Sequence, residues 1–236
     1  NLVRKFLKAG VMENGLTKST EEGMPQGGPL SPILSNIYLD KLDKELESRG
    51  LRFVRYADDF IILVKSEKAA ERVMASITSW IERKLFLKVS ATKTKVTRPT
   101  NSRFLGFTFV KYTSKWECKP AKDRIAKFEK KIKDYLCRRK AIARPLAETF
   151  TKLNQITRGW INYFKIGRMK QYLKEKFGPW LRHKIRVVII KQWKKSKTIF
   201  NNLMKINLRN NNGFDEESIF KVANSRLGWY KRAGMN

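Results

Sequence analysis

Cysteine, histidine and acid are what this sequence is short of. Its 236 residues include 2 cysteines, Cys118 and Cys137, and a single histidine, His183. Three such residues, well apart, build neither a four-ligand zinc site nor a disulfide framework. They read instead as buried or incidental side chains, which suits a reducing compartment. Long apolar runs are lacking too. Segments such as Ile185–Ile190 are core-sized and far below the ~20 residues of a membrane span. The first residues do not have the form of a signal peptide.

The shortage of acid dominates the charge. Lys and Arg number 52 against 21 Asp and Glu, a net charge of +31 and a pI near 10.4. A charge this large repels itself unless a polyanion offsets it, so nucleic acid is the expected partner. An anionic membrane surface and a ribosomal role are the rivals. The apolar fraction of 42% and 14 Phe, 7 Tyr and 6 Trp describe a folded domain and not a basic tail. The charge is also uneven. Residues 1–116 hold 21 basic and 12 acidic residues, whereas 117–236 hold 31 and 9.

Pattern divides the chain at the same place. Asn1–Val11 reads as the end of a helix stopped by Gly10, and Val11–Glu22 as a loop or short hairpin. A Gly- and Pro-rich loop follows from Gly23. Ser31 and Pro32 then mark a helix start, with the hydroxyl as cap and the proline in the first turn. Leu34, Tyr38, Leu42 and Leu46 give that helix one buried face, and Gly50 ends it. Arg52–Tyr56 and Phe60–Val64 read as two strands around a tight turn. A helix is expected over Lys68–Leu85, then short strands at Leu87–Ser90, Thr94–Thr97 and Phe104–Val110. From Lys119 onward the period becomes helical. Ile125, Phe128, Ile132 and Tyr135 line one face and Pro145 breaks the run. Further helices are expected over Leu146–Phe164, from near Pro179, and over Glu216–Asn224 with Asp215 as cap. The fold class is therefore α+β: an antiparallel sheet with helices in 1–116, then an all-α domain in 117–236.

The chemistry concentrates at Asp58 and Asp59, inside the apolar run RFVRYADDFIILV. Asp suits turns, so a plain polar turn is one reading. The other is that a rigid hairpin presents two carboxylates to divalent cations. Magnesium prefers such oxygen ligands, and bound metal offsets the repulsion between neighbouring carboxylates.

Here the sequence resembles a known family. YADD at Tyr56–Asp59 is similar to the catalytic hairpin of reverse transcriptases. MPQGGPLSPILSNIYLD at Met24–Asp40 resembles the motif that precedes it in the reverse transcriptases of group II introns. LKVSATKTKV at Leu87–Val96 and FLGFTF at Phe104–Phe109 resemble the two motifs that follow. RGWINYF at Arg158–Phe164 and KQWKKSK at Lys191–Lys197 resemble the thumb, or maturase domain X. The resemblance covers nearly the whole chain in the family's order.

It implies roles residue by residue. Asp58 and Asp59 would be catalytic and hold two Mg2+ ions, with Mn2+ as a substitute. Gln26, Gly27, Tyr56 and Lys93 would meet the incoming nucleotide and template. Leu105 and Gly106 would form the primer grip. Partners implied are group II intron RNA, an RNA template with DNA primer, dNTP and a DNA target site, and no membrane. The location implied is the bacterial cytoplasm, at the nucleoid when bound to DNA. Trp160, Tyr163 and Phe164 stand at helical spacing and read as core. Lys130, Lys131, Arg138, Arg139, Lys194, Lys195 and Lys197 fall on polar faces, and the basic excess favours phosphate contact for many of them.

Two departures matter. The segment bearing the family's first catalytic aspartate, and its fingers, have no counterpart in these residues. WYKRAGMN resembles the run that closes the maturase region, where family members often continue. The expectation is a polymerase that is incomplete as the chain stands. Rival readings are a maturase that assists splicing only, and a domesticated relative such as a CRISPR-associated reverse transcriptase.

Overall fold

The structure is a computed structural model that describes residues 2–8, 10–13, 16–18, 28, 30–210 and 213–235. It is α+β, with small antiparallel sheets and many helices. Packing separates two compact units, Asn1–Phe104 and Leu105–Asn236.

The first unit opens with α1 (Leu2–Lys8) and a hairpin of β1 (Val11–Glu13) and β2 (Leu16–Lys18). Helix α2 (Ser31–Ser48) has proline in its first turn, but Leu30 occupies the N-cap and supplies no side-chain cap, so Ser31 is not the cap residue. The helix stops at Gly50, whose φ of +64° is left-handed. Strands β3 (Arg52–Tyr56) and β4 (Asp59–Leu63) pair antiparallel. Helix α3 (Glu67–Trp80) is capped by the Ser66 hydroxyl, which accepts from the Ala69 N–H. A widened helical turn over Ile81–Leu85 prolongs it to Phe86, which adopts a left-handed φ of +54°.

One core holds these elements together. Leu39, Leu42 and Leu46 of α2 meet Ile77, Ile81 and Leu85, with Phe53, Phe60 and Ile62 of the hairpin packed against them. Each fully buried leucine contributes on the order of 1.5–3 kcal/mol over an exposed one. Tyr38 is half-exposed at its ring, yet its hydroxyl donates to the Leu85 carbonyl at 2.6 Å. The strands expected at Leu87–Ser90 and Thr94–Thr97 do not form: the first is irregular, and turns surround Thr92. β-Propensity alone does not make a strand. It needs a partner backbone, and no ladder among the described residues reaches these segments. Arg103–Phe104 forms the short β5.

The second unit begins with a hairpin of β6 (Phe107–Tyr112) and β7 (Lys115–Pro120), turning at Thr113. Then come α4 (Lys122–Tyr135), α5 (Arg138–Ala141) and α6 (Leu146–Phe164). A widened turn over Tyr172–Phe177 leads into α7 (Gly178–Trp193), followed by α8 (Ser196–Asn210), α9 (Glu216–Asn224) and α10 (Trp229–Arg232). Phe128 and Ile132 of α4, Leu153 of α6, Phe177 of the widened turn and Val188 of α7 belong to its main core. Trp160 stacks on Phe128 with centroids 4.3 Å apart, and Phe164 is buried, so both are core residues as the periodicity implied. Tyr163 is more than half exposed. Gln192 of α7 donates to the Ala141, Ile142 and Arg144 carbonyls and thereby fixes the turn before Pro145. The unit starts before the change to helical periodicity because Phe107 of β6 packs with Phe164 and Met169.

Candidate active site

The hairpin register places the acidic pair. Tyr56 pairs with Asp59, leaving Ala57 and Asp58 as a two-residue turn. Ala57 takes a φ of +53°. Asn or Gly usually supplies this conformation, and Ala adopts it at a cost of roughly 1 kcal/mol. The inward face of the hairpin carries Phe53, Phe60 and Ile62 into the core. The alternation turns Tyr56 outward, 65% exposed, with Asp58 and Asp59 also exposed. Neither carboxylate has an ion-pair partner among the described residues.

Arg55 fixes this turn. Its Nε and Nη2 donate to the two carboxylate oxygens of Asp43 on α2, at 2.7 and 2.5 Å. Nη1 donates to the Ala57 carbonyl at 2.8 Å and to the Asn36 side-chain oxygen at 3.0 Å. One guanidinium thus ties the turn residue directly to the supporting helix. The Asp43 hydrogen bond holds the Arg55 pKa above its ordinary value despite partial burial. Sequence reading missed Arg55. The available signal was a charged residue at a position that alternation with Phe53 turns inward.

The remaining candidates are scattered. Lys93 lies on an exposed turn, where its N–H donates to the Ser90 carbonyl, and no hydrogen bond or ion pair joins it to Asp58 or Asp59. Gln26 and Gly27 lie outside the described residues. Among the described residues no group of three or more His, Cys, Asp or Glu side chains converges to hold a metal. Asp58 and Asp59 are nonetheless adjacent, exposed hard oxygen donors, a set that suits magnesium.

In the second unit Leu105 and Gly106 form a tight turn with φ of +49° and +80°. The Leu105 carbonyl accepts from the Tyr163 hydroxyl at 3.0 Å, and the Gly106 carbonyl accepts from the Ala121 N–H at 2.9 Å. A Cβ on Gly106 would stand 3.3 Å from the Arg124 side chain and 3.5 Å from the Phe164 ring. Backbone therefore approaches its neighbours closely here, which glycine permits.

Lys130 and Lys131 are exposed on α4 and Arg139 on α5. Arg138 belongs to α5, but its side chain lies outside the described residues. Lys194, Lys195 and Lys197 are exposed where α7 passes into α8. The structure thus presents several basic positions to solvent on separate elements.

Comparison with known proteins bears on both units. Residues 2–109 match the family model "Reverse transcriptase (RNA-dependent DNA polymerase)", and residues 125–207 match "Group II intron, maturase-specific domain". The chain thus resembles a reverse-transcriptase segment followed by a group II intron maturase-specific domain. Protein YkfC of Escherichia coli K12 is 30% identical over 150 residues, covering 49% of this chain and 39% of that protein. The group II intron-encoded protein LtrA of Lactococcus lactis subsp. cremoris is 30% identical over 171 residues, covering 45% and 28%. The retron Ec86 reverse transcriptase of E. coli is 34% identical over 84 residues, covering 34% and 26%. The chain thus spans well under half of each of these relatives. No helix among the described residues is long and apolar enough to cross a membrane.

Proposed function

We propose that this reverse transcriptase–maturase chain contributes the acidic hairpin of an RNA-directed DNA polymerase and the RNA-binding maturase domain of a group II intron protein. The observation that carries the reading is the hairpin tip: Asp58 and Asp59 exposed side by side on a turn held by core packing and by Arg55. It lies within the segment matched to reverse transcriptases.

Asp58 would provide the principal metal ligand and Asp59 its neighbour. Magnesium held there would supply charge neutralisation at the primer 3′-oxygen and the leaving pyrophosphate of a dNTP. Tyr56, exposed beside Asp59, would flank the primer terminus and incoming nucleotide. Gln26, Gly27 and Lys93 would contribute on the template and nucleotide side. Leu105 and Gly106 would present backbone to the primer strand. The maturase domain would bind intron RNA through its basic faces and assist splicing, and the assembly would act at a DNA target. Two carboxylates make an incomplete two-metal site, so the third would come from outside the described residues.

The second reading is a maturase that assists splicing without polymerising. It is favoured by the lack of a converging three-carboxylate group among the described residues. Primer extension on an RNA template with magnesium separates the two. The assay compares a full-length parent protein, its Asp58→Ala variant and this chain alone. Synthesis by the parent only supports the proposal. Synthesis by this chain alone refutes the need for an outside carboxylate. A folded parent that never extends primer leaves the splicing reading.

A further inference from the structure

The β6–β7 hairpin carries a feature that neither the hairpin tip at Asp58 nor the helical basic faces explain. Of the six tryptophans, Trp80, Trp160, Trp180, Trp193 and Trp229 are half-buried against the cores. Trp116 is 52% exposed. Its indole has no ring contact, cation contact or hydrogen bond among the described residues.

Its surroundings are cationic. The register pairs Trp116 with Lys111 and, one step nearer the turn, Lys115 with Tyr112. Lys111 and Lys115 are both exposed. Lys111 shares the face of Trp116, whereas strand alternation turns Lys115 and the hairpin's single acid, Glu117, to the opposite face. There Arg168 neutralises it, with Nη1 donating to the Glu117 carboxylate at 3.1 Å, and its guanidinium covers the Tyr112 ring at 4.0 Å. The Arg168 N–H also donates to the Cys118 carbonyl at 2.7 Å, which anchors this arrangement on the strand. So the tyrosine is occupied, the acid is paired, and the indole and the Lys111 ammonium stand together on one exposed face. A rigid aromatic platform with a cation beside it on the paired strand suits a base stacked on the ring and a phosphate beside the lysine. A paired base cannot offer its face in this way, so the ligand is unpaired.

We infer that Trp116, with Lys111, forms a stacking site for an unpaired nucleotide of single-stranded RNA. The inference rests on the reading of this unit as RNA-binding. It adds a defined contact, on the strand hairpin and outside the helical faces.

The test is fluorescence anisotropy of the intact chain with labelled oligouridylate and with a blunt RNA duplex of equal length. Trp116→Ala weakens oligouridylate binding about tenfold and duplex binding less than about twofold, while Trp116→Phe stays within about threefold of wild type. Lys111→Ala lowers the salt slope on the single strand by about 0.7. An unchanged affinity in Trp116→Ala, or an equal loss on both RNAs, overturns the site. Loss of binding to phosphatidylglycerol vesicles without loss on RNA also overturns it, in favour of a membrane contact. A wild-type chain that binds neither RNA overturns the underlying RNA-binding reading as well.

Discussion

Removing the Arg55 side chain should loosen the acidic hairpin without disturbing its carboxylates. The side chain makes four hydrogen bonds: two to Asp43, one to Asn36 and one to the Ala57 carbonyl in the turn. The Arg55 side chain is 10% exposed and that of Asp43 25%. The pair thus falls between two limits. An exposed ion pair contributes about 0–1 kcal/mol. Breaking a fully buried one costs about 3–5 kcal/mol, because it strands the remaining charge. A hydrogen bond to a charged group contributes about 1.5–3 kcal/mol net, bonds that share one side chain do not add in full, and Asp43 can partly rehydrate. Arg55→Met should therefore cost about 2–3 kcal/mol of local stability. Arg55→Lys keeps the charge and loses the fork, so about half that loss is expected.

Amide hydrogen exchange reads this directly. A loss of about 2 kcal/mol raises the opening population about 30-fold, so β3 and β4 amides should exchange about 30-fold faster in Arg55→Met. Amides in α4 and α6 of the second unit should not change. A double-mutant cycle with Asp43→Asn should return a coupling of at least about 1.5 kcal/mol. Exchange within about threefold of wild type, or coupling below about 0.5 kcal/mol, would refute the claim that this contact holds the turn.

Three further perturbations follow from local chemistry. Gly106→Ala forces alanine to a φ of +80° and brings its Cβ to 3.3 Å from Arg124. It should cost about 1–2 kcal/mol in urea unfolding, more than Gly50→Ala, whose site is also left-handed but open. Asp215 accepts from the Ser218 N–H at 2.9 Å, and its hydrogen bonds to Ser218 hold its pKa below the usual carboxylate value. A depressed carboxylate stabilises above its unfolded pKa and loses this as pH falls through the folded one. Asp215→Ala should thus melt below wild type at neutral pH, and the gap should close in acid, where Asp215→Asn keeps the cap. Tyr172 is pushed well above the ordinary tyrosine range by burial, then by the hydrogen bond its hydroxyl donates to Glu129 at 2.9 Å. Its neutral form stabilises below about pH 10 and that contribution is lost as pH climbs through the raised value, so an ultraviolet titration should show a late tyrosine that Tyr172→Phe removes.

The elements that sequence alone revealed are those with local punctuation. Pro145 set the start of α6 at Leu146, and Asp215 capped α9 through Ser218. Ser31 and Pro32 marked the start of α2 although the hydroxyl is not its cap. The acidic turn was equally legible, because YADD lies between two short runs that pair with each other. Elements that depend on distant neighbours were not. β7 reads KWECKP, a short alternation of charged residues with Trp, Cys and Pro that lacks β-branched residues, and it pairs along its whole length with β6. α8 was hidden by its basic approach, KKSK, and by its asparagines. Yet Ile199, Leu203 and Ile206 were spaced for a helix, and Ile199 is fully buried. Lys93 could be matched to a motif but not to a place, since its segment forms a turn and no strand.

Arg55 shows why part of the site escaped. A motif names the residues expected to face the chemistry, here Asp58 and Asp59, and those are exposed at the hairpin turn. What orients them sits on the opposite face, and its partner Asp43 is on the preceding helix, one face of which reads simply as core. Alternation could have flagged an inward arginine between Phe53 and the turn. It could not have named Asp43, because several acids on α2 stand at similar sequence distance and only the crossing of helix and hairpin selects one. The support of the acidic hairpin is thus a tertiary property. Trp116 is the complementary case, for its sequence context is unremarkable and only the burial of the five other tryptophans separates it from them.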